Sequence, residues 1–120
     1  MLDRYIEERN KAIVNAKNED FLNAVFRIYI YNTWDKRFGP DEKPKDITIS
    51  EIYKKFSTAE YSLALDKSIK LIEAGARLAM AHYARSSECE EISKDMKTDN
   101  HGFTAYAYNK SFEIGMINNR

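Results

Sequence analysis

Apolar residues recur along most of this chain at intervals of three and four, the period of a helix with one buried face. In residues 2 to 17, LDRYIEERNKAIVNAK, one face carries Leu2, Tyr5, Ile6, Ile13 and Ala16 while charges occupy the remainder, which predicts an amphipathic helix. Asn18 reads as the N-cap of a second helix, with Glu19 and Asp20 in its first turn, where carboxylates complement the helix dipole. That helix, FLNAVFRIYIYNTWDKRFG, is apolar nearly all round. It is expected to close with Lys36 and Arg37 in its last turn, Gly39 as C-cap and Pro40 just beyond. Its inner VFRIYIY has strand propensity, but the start and stop signals favour helix.

The loop GPDEKPKD holds both prolines, and two capping signatures follow it. Thr48 with Glu51 makes a capping box backed by Ile47 and Ile52 as a hydrophobic staple; Ser57 with Glu60 repeats the box, and Phe56 with Tyr61 the staple. A short helix over 49 to 56 should therefore turn into a long one over 58 to 86. Along the long helix Leu65, Ile69, Ile72, Ala76, Ala79 and Tyr83 trace one stripe, and Ala64, Leu71, Gly75 and Leu78 a second beside it. An apolar arc that wide calls for neighbours on two sides, and the small residues of EAGARLAMA let another helix approach closely. Ser87 with Glu90 predicts a further short helix through ECEEISKDMK, stopped by TDNHG. In the tail the period changes to two. With a turn at Asn109 and Lys110, Phe103, Ala105, Ala107, Phe112, Ile114 and Met116 share one face, and Thr104, Tyr106, Tyr108, Ser111 and Glu113 the other, which predicts a β-hairpin with a last helix as the alternative.

The expected architecture is one mainly α domain over residues 1 to 120: a bundle of four to five helices with a small C-terminal β-hairpin. A chain of 120 residues can bury a sufficient core without disulfides or metal. Its single cysteine, Cys89, excludes an internal disulfide and a cysteine-rich zinc site. No apolar run approaches membrane-spanning length and the charged N-terminus has no signal-peptide core, so a cytoplasmic protein is expected. Nineteen basic residues balance nineteen acidic ones, and none of the stretches 1 to 40, 41 to 57, 58 to 100 and 101 to 120 departs from neutrality by more than two charges. Duplex nucleic acid is therefore not a partner to be held by bulk charge. The abundance of Lys, Asn, Ile and Tyr is that of an AT-rich coding sequence, as in a low-GC bacterium or its phage.

The stretch RLAMAHYAR, residues 77 to 85, carries the one motif-like arrangement in the chain. An arginine, four residues and a histidine resembles, over about ten residues, the short signature of HEPN domains, helical bundles that often act as metal-independent ribonucleases. The resemblance implies that His82 would be the general acid/base and Arg77 would stabilise phosphoryl charge, at a dimer interface. Helix geometry implies otherwise, since positions five apart are turned by about 140° in an unbroken α-helix. On that reading Arg77 pairs with Glu73 one turn away, Asp66 pairs with Lys70, and His82 is a structural residue beside the apolar stripe. His101 and Cys89 add no metal-ligand spacing, and neither a metal nor another cofactor is expected. The acidic segment from Glu88 to Asp99 reads as a solvated face, or else as a docking patch for a basic partner.

Eight tyrosines, six phenylalanines and a tryptophan exceed what a minimal core needs. Tyr29, Tyr31 and Trp34 lie on the second helix, and Tyr106 and Tyr108 on the polar face of the hairpin. Such side chains suit protein interfaces and base stacking, with Arg77 or Arg85 available to a phosphate and His82 a further candidate binding residue. The function expected is that of a small interaction or regulatory protein, phage or mobile-element encoded, which binds a protein partner or a small nucleotide-like ligand. Homodimerisation through the long helix or the aromatic face of the second is expected with it; the alternative is the ribonuclease using Arg77 and His82.

Overall fold

The computed structural model describes residues 2–38 and 44–120, and among them it is mainly helical, with five α-helices and no strand. These are α1 (Leu2–Lys17), α2 (Phe21–Thr33), α3 (Thr58–Tyr83), α4 (Cys89–Asp99) and α5 (Ala105–Asn118). The expected C-cap Gly39 and the following Pro40 lie outside the described residues. No helix among the described residues is long and apolar enough to cross a membrane. The chain divides into two compact units, Met1–Leu65 and Asp66–Arg120.

In the first unit, α2 starts two residues later than expected. Asp20, not Asn18, is the N-cap, and its carboxylate accepts from the Asn23 N–H at 3.0 Å. The helix ends at Thr33 with Trp34 as C-cap, and a 3-10 turn over Asp35–Phe38 replaces the last helical turn. Its apolar circumference is satisfied by burial: Ala24, Val25, Ile28 and Tyr31 join Ala16 of α1, Ile47, Ile49 and Ala64 in one core. Ala12 and Ile13 of α1 pack against that core, and of the expected stripe Ala16 is buried, Tyr5 and Ile13 are half-buried and Ile6 is about half exposed.

The segment from Pro44 to Tyr53 has little regular structure, only the 3-10 turn Ile49–Glu51 where a helix over 49 to 56 was expected. It is held by side chains. The Asn32 amide donates to the Ile47 carbonyl at 2.9 Å and its oxygen accepts from the Ile47 N–H at 2.8 Å, so α2 pairs with the segment as a neighbouring strand would. Arg9 of α1 donates to the Lys45 and Asp46 carbonyls at 2.9 and 3.0 Å and to both Glu51 oxygens at 3.1 Å. Tyr53 donates its hydroxyl hydrogen to the Glu19 carbonyl at 2.6 Å, and Lys36 pairs with Asp46.

The Glu51 carboxylate also accepts from the Thr48 N–H at 2.8 Å, the acidic half of the expected capping box. That backbone hydrogen bond holds the Glu51 carboxyl below its ordinary value of 4.5 against the opposing effect of burial, and Arg9 adds to the lowering. A lowered folded value means that the contribution to stability is complete above pH 4.5 and is lost as pH falls through the lowered value. Glu51→Gln is therefore expected to flatten the acid limb of the melting temperature against pH and to leave its neutral limb nearly parallel to that of the parent. Thermal denaturation between pH 3 and pH 7 checks this; parallel acid limbs would contradict it.

Ser57 caps α3 as expected, accepting from the Glu60 N–H at 3.0 Å, with the Phe56 and Tyr61 rings 6.1 Å apart as the staple. The helix stops at Tyr83, and Arg85 takes up a left-handed backbone with φ of 54°. Its buried residues are Ala64, Ser68, Leu71, Ala74, Gly75 and Ala79, drawn from both expected stripes with Ser68 and Ala74 added; Leu65, Ile69, Ile72, Ala76 and Leu78 are half-buried and Tyr83 is exposed.

In the second unit the expected β-hairpin is replaced by α5. Thr104 caps it, accepting from the Ala107 N–H at 3.4 Å, and its inner face is Ala107, Ser111, Ile114 and Gly115, spaced four, three and one. Those small residues let α5 cross α3 backbone to backbone. A Cβ added at Gly75 would lie 2.3 Å from the Ser111 carbonyl oxygen, and one at Gly115 would lie 2.6 Å from that of Gly75. A strand has no such face, because its side chains alternate. The start of α4 also differs from the expectation: Ser86 rather than Ser87 bonds the entering backbone, accepting from the Glu88 N–H at 3.1 Å.

Candidate functional site

Several recesses line the second unit among its described residues. One of them, markedly apolar, is a groove of about 360 Å³ where α3, α4 and α5 meet. Leu78 and His82 reach it from α3, Met96 from α4, and Tyr108 and Phe112 from α5. Glu90 and Lys97, seven residues apart on α4, set opposite charges along its rim, and Cys89 and Ser93 complete that side. The helices leave the groove open because α5 meets α3 closely at Gly75, while the bulkier Phe112 stands beside that crossing. His82 packs edge-on to Phe112, ring centroids 5.9 Å apart and 85° between planes. Tyr108 is fixed by its hydroxyl, which donates to the Asn100 carbonyl at 2.7 Å.

Arg77 lines a different recess, of about 230 Å³, with Ala74, Ile92, Asp95, Met96, Asp99 and Asn100. Two carboxylates of α4 share that space with the guanidinium, which opposes its use for phosphoryl charge. Helix α3 is unbroken from Arg77 to His82, so the structure does not bring the two together in one cavity. The expected Glu73–Arg77 and Asp66–Lys70 ion pairs are not formed among the described residues either. Arg85 is exposed beyond the end of α3.

The aromatic residues singled out from the sequence are dispersed. Trp34 and Tyr31 belong to the interior of the first unit, at 7% and 5% exposure, and present no ring face for stacking. The edge of Tyr31 borders a charged recess of about 320 Å³ with Arg4, Glu8, Asp35 and Lys36, and burial pushes its phenol above the ordinary value while Arg9 opposes the shift. Tyr29 and Tyr106 are half-buried. Of the eight candidate positions only His82 and Tyr108 reach the groove.

Sequence reasoning missed Leu78, Met96 and Phe112 as site residues, having assigned Leu78 to the core stripe and Phe112 to the inner face of a hairpin. Met96 carried no signal beyond being one of the few apolar residues of a charged segment. Among the described residues no group of three or more histidine, cysteine, aspartate or glutamate side chains could hold a metal ion. No family model, curated protein or solved structure matches the chain.

Proposed function

We propose that this chain is a small interaction protein that captures an apolar segment of a protein partner in the groove between α3, α4 and α5. The observation that carries this reading is the groove itself, an open apolar space rimmed by ordered polar groups. Its roughly 360 Å³ lies within the range of about 300 to 1,000 Å³ typical of sites that hold a ligand or an anchoring side chain. Leu78, Met96 and Phe112 supply apolar contact, and methionine adapts to irregular partners. Glu90 and Lys97 stand about 10 Å apart along α4 at 1.5 Å per residue. The partner segment that fits has a bulky apolar residue flanked by a basic residue on the Glu90 side and an acidic one on the Lys97 side.

The setting is the cytosol, where an unpaired thiol persists. A regulatory role in a phage or other mobile element suits a small chain whose accessible feature is a binding groove. The ribonuclease alternative loses its support with the separation of Arg77 from His82, and no observation favours it over the binder.

Cys89, the only thiol, lies inside the groove and reports on its occupancy. A partner bound there is expected to slow the reaction of Cys89 with a soluble disulfide reagent, and prior labelling of Cys89 with a bulky maleimide is expected to abolish capture. Ser93→Trp and Lys97→Glu should each lose the partner, while Leu63→Ser, an exposed position in the other unit, should retain it. Partner binding that tolerates Ser93→Trp and leaves Cys89 reactivity unchanged would overturn the proposal.

A further inference from the structure

A third recess of the second unit differs in chemistry from the groove. It holds about 160 Å³ and is lined by Lys67, Lys70, Asp99, Asn100, His101 and Phe103. Lys67 and Lys70 lie three apart on α3, on one side of the helix, where like charges repel. Both are exposed, and neither has an ion-pair partner among the described residues. Phe103 immediately precedes the N-cap of α5, so the positive end of that helix adds to the same field. His101 supplies a further N–H donor, and Asp99 is the one opposing charge. A recess about half the size of the smallest typical ligand pocket suits one compact group rather than a whole cofactor.

We propose that this recess binds a phosphate-type dianion between the Lys67 and Lys70 ammonium groups, with the His101 imidazole donating to it and the Phe103 ring forming one wall. Two ammonium groups and an imidazole supply the charge-assisted donors that such an oxyanion accepts, and the excess of positive charge over Asp99 exceeds what the protein itself neutralises. The source of the group is free phosphate or a phosphomonoester. The two share the anion and differ in whether an organic part reaches Phe103.

The test is titration of isotopically labelled protein with inorganic phosphate and, separately, with phenyl phosphate, both at constant ionic strength maintained with sodium chloride. Backbone amide resonances of Lys70, Asn100 and His101 are expected to shift saturably. The double variant Lys67→Gln, Lys70→Gln should bind at least about tenfold more weakly, the loss that removal of charge-assisted hydrogen bonds brings. Tighter binding of phenyl phosphate that falls to the inorganic level in Phe103→Ala identifies a monoester as the source; equal affinity identifies free phosphate. Both lysines are exposed, so circular dichroism should show the double variant folded. Shifts that sodium chloride alone reproduces, or that persist undiminished in the folded double variant, would overturn the assignment.

Discussion

Gly75→Ala is expected to lower the melting temperature by roughly 10 °C or more, the opposite of what helix propensity alone would do. In a free helix the change is favourable by about 1 kcal/mol, because alanine restricts the unfolded chain and glycine does not. In this fold the new methyl group would lie 2.3 Å from the carbonyl oxygen of Ser111 and 2.5 Å from its carbonyl carbon, well inside van der Waals contact. Both obstacles are backbone atoms, which cannot rotate away as a side chain does. Helices α3 and α5 must therefore separate, opening space around Ala107, Ile114 and Ala79. Overpacking of this kind costs about 1 to 3 kcal/mol even where side chains can adjust, so a rigid backbone obstacle belongs at the upper end or beyond. At about 4 °C per kcal/mol or more for a chain of this size, the loss is readily measured by calorimetry.

Ser111→Ala is the control for that experiment. The Ser111 hydroxyl is buried at the crossing and lacks a hydrogen-bond partner, so its removal relieves an unsatisfied polar group without adding volume. Unchanged or raised stability is expected. A rise in melting temperature on Gly75→Ala would show that α5 does not cross α3 at this point.

Asn32→Ala is expected to release the 44–53 segment from α2 at a cost of about 2 to 4 kcal/mol. The amide serves both backbone groups of Ile47, one as donor and one as acceptor, and Ile47 is almost wholly buried. Alanine leaves a buried N–H and a buried carbonyl without partners, and each such loss costs about 1 to 3 kcal/mol. Asn32→Asp separates the two bonds: the carboxylate still accepts from the Ile47 N–H but faces the Ile47 carbonyl with a second oxygen in place of a donor. Its cost should equal or exceed that of alanine. Hydrogen exchange resolves the local event, since the Ile47 amide should lose protection in Asn32→Ala while amides in the middle of α2 keep theirs. Continued protection of Ile47 would mean that another group takes over the bond.

The helical parts that could be read from the chain were those whose signals lie within one turn. Ser57 with Glu60, and Phe56 with Tyr61, act over three to five residues, and they start α3 where expected. The same local logic misplaced the start of α2 by two residues, since Asn18 and Asp20 both suit a cap and it is the Asp20 carboxylate that accepts from the Asn23 N–H. Thr48 and Glu51 form their local bond, yet the helix they announce is one 3-10 turn, and the segment just before it is held by Asn32 and Arg9. Those long-range partners leave no periodic trace. The groove was legible only at His82 and Tyr108, since a residue that lines a cleft and one that fills a core share the same hydropathy.

What the amino-acid order determined by itself was the mainly helical class, the existence of α1 to α4 and the small-residue run that makes a close approach to α3 feasible. Periodicity and capping are properties of a few neighbouring residues and need nothing distant to act. Only the tertiary structure decided that the tail is α5, because FTAYAYNKSFEIGMI fits a two-residue period and a helical one about equally well. The choice falls to helix because that conformation places Ala107 and Ile114 on the same side as Ser111 and Gly115, against Gly75, whereas the hairpin divides them between two faces. The separation of Arg77 from His82 follows from the same source: an unbroken α3 turns them apart, and α4 and α5 lay a different recess over each.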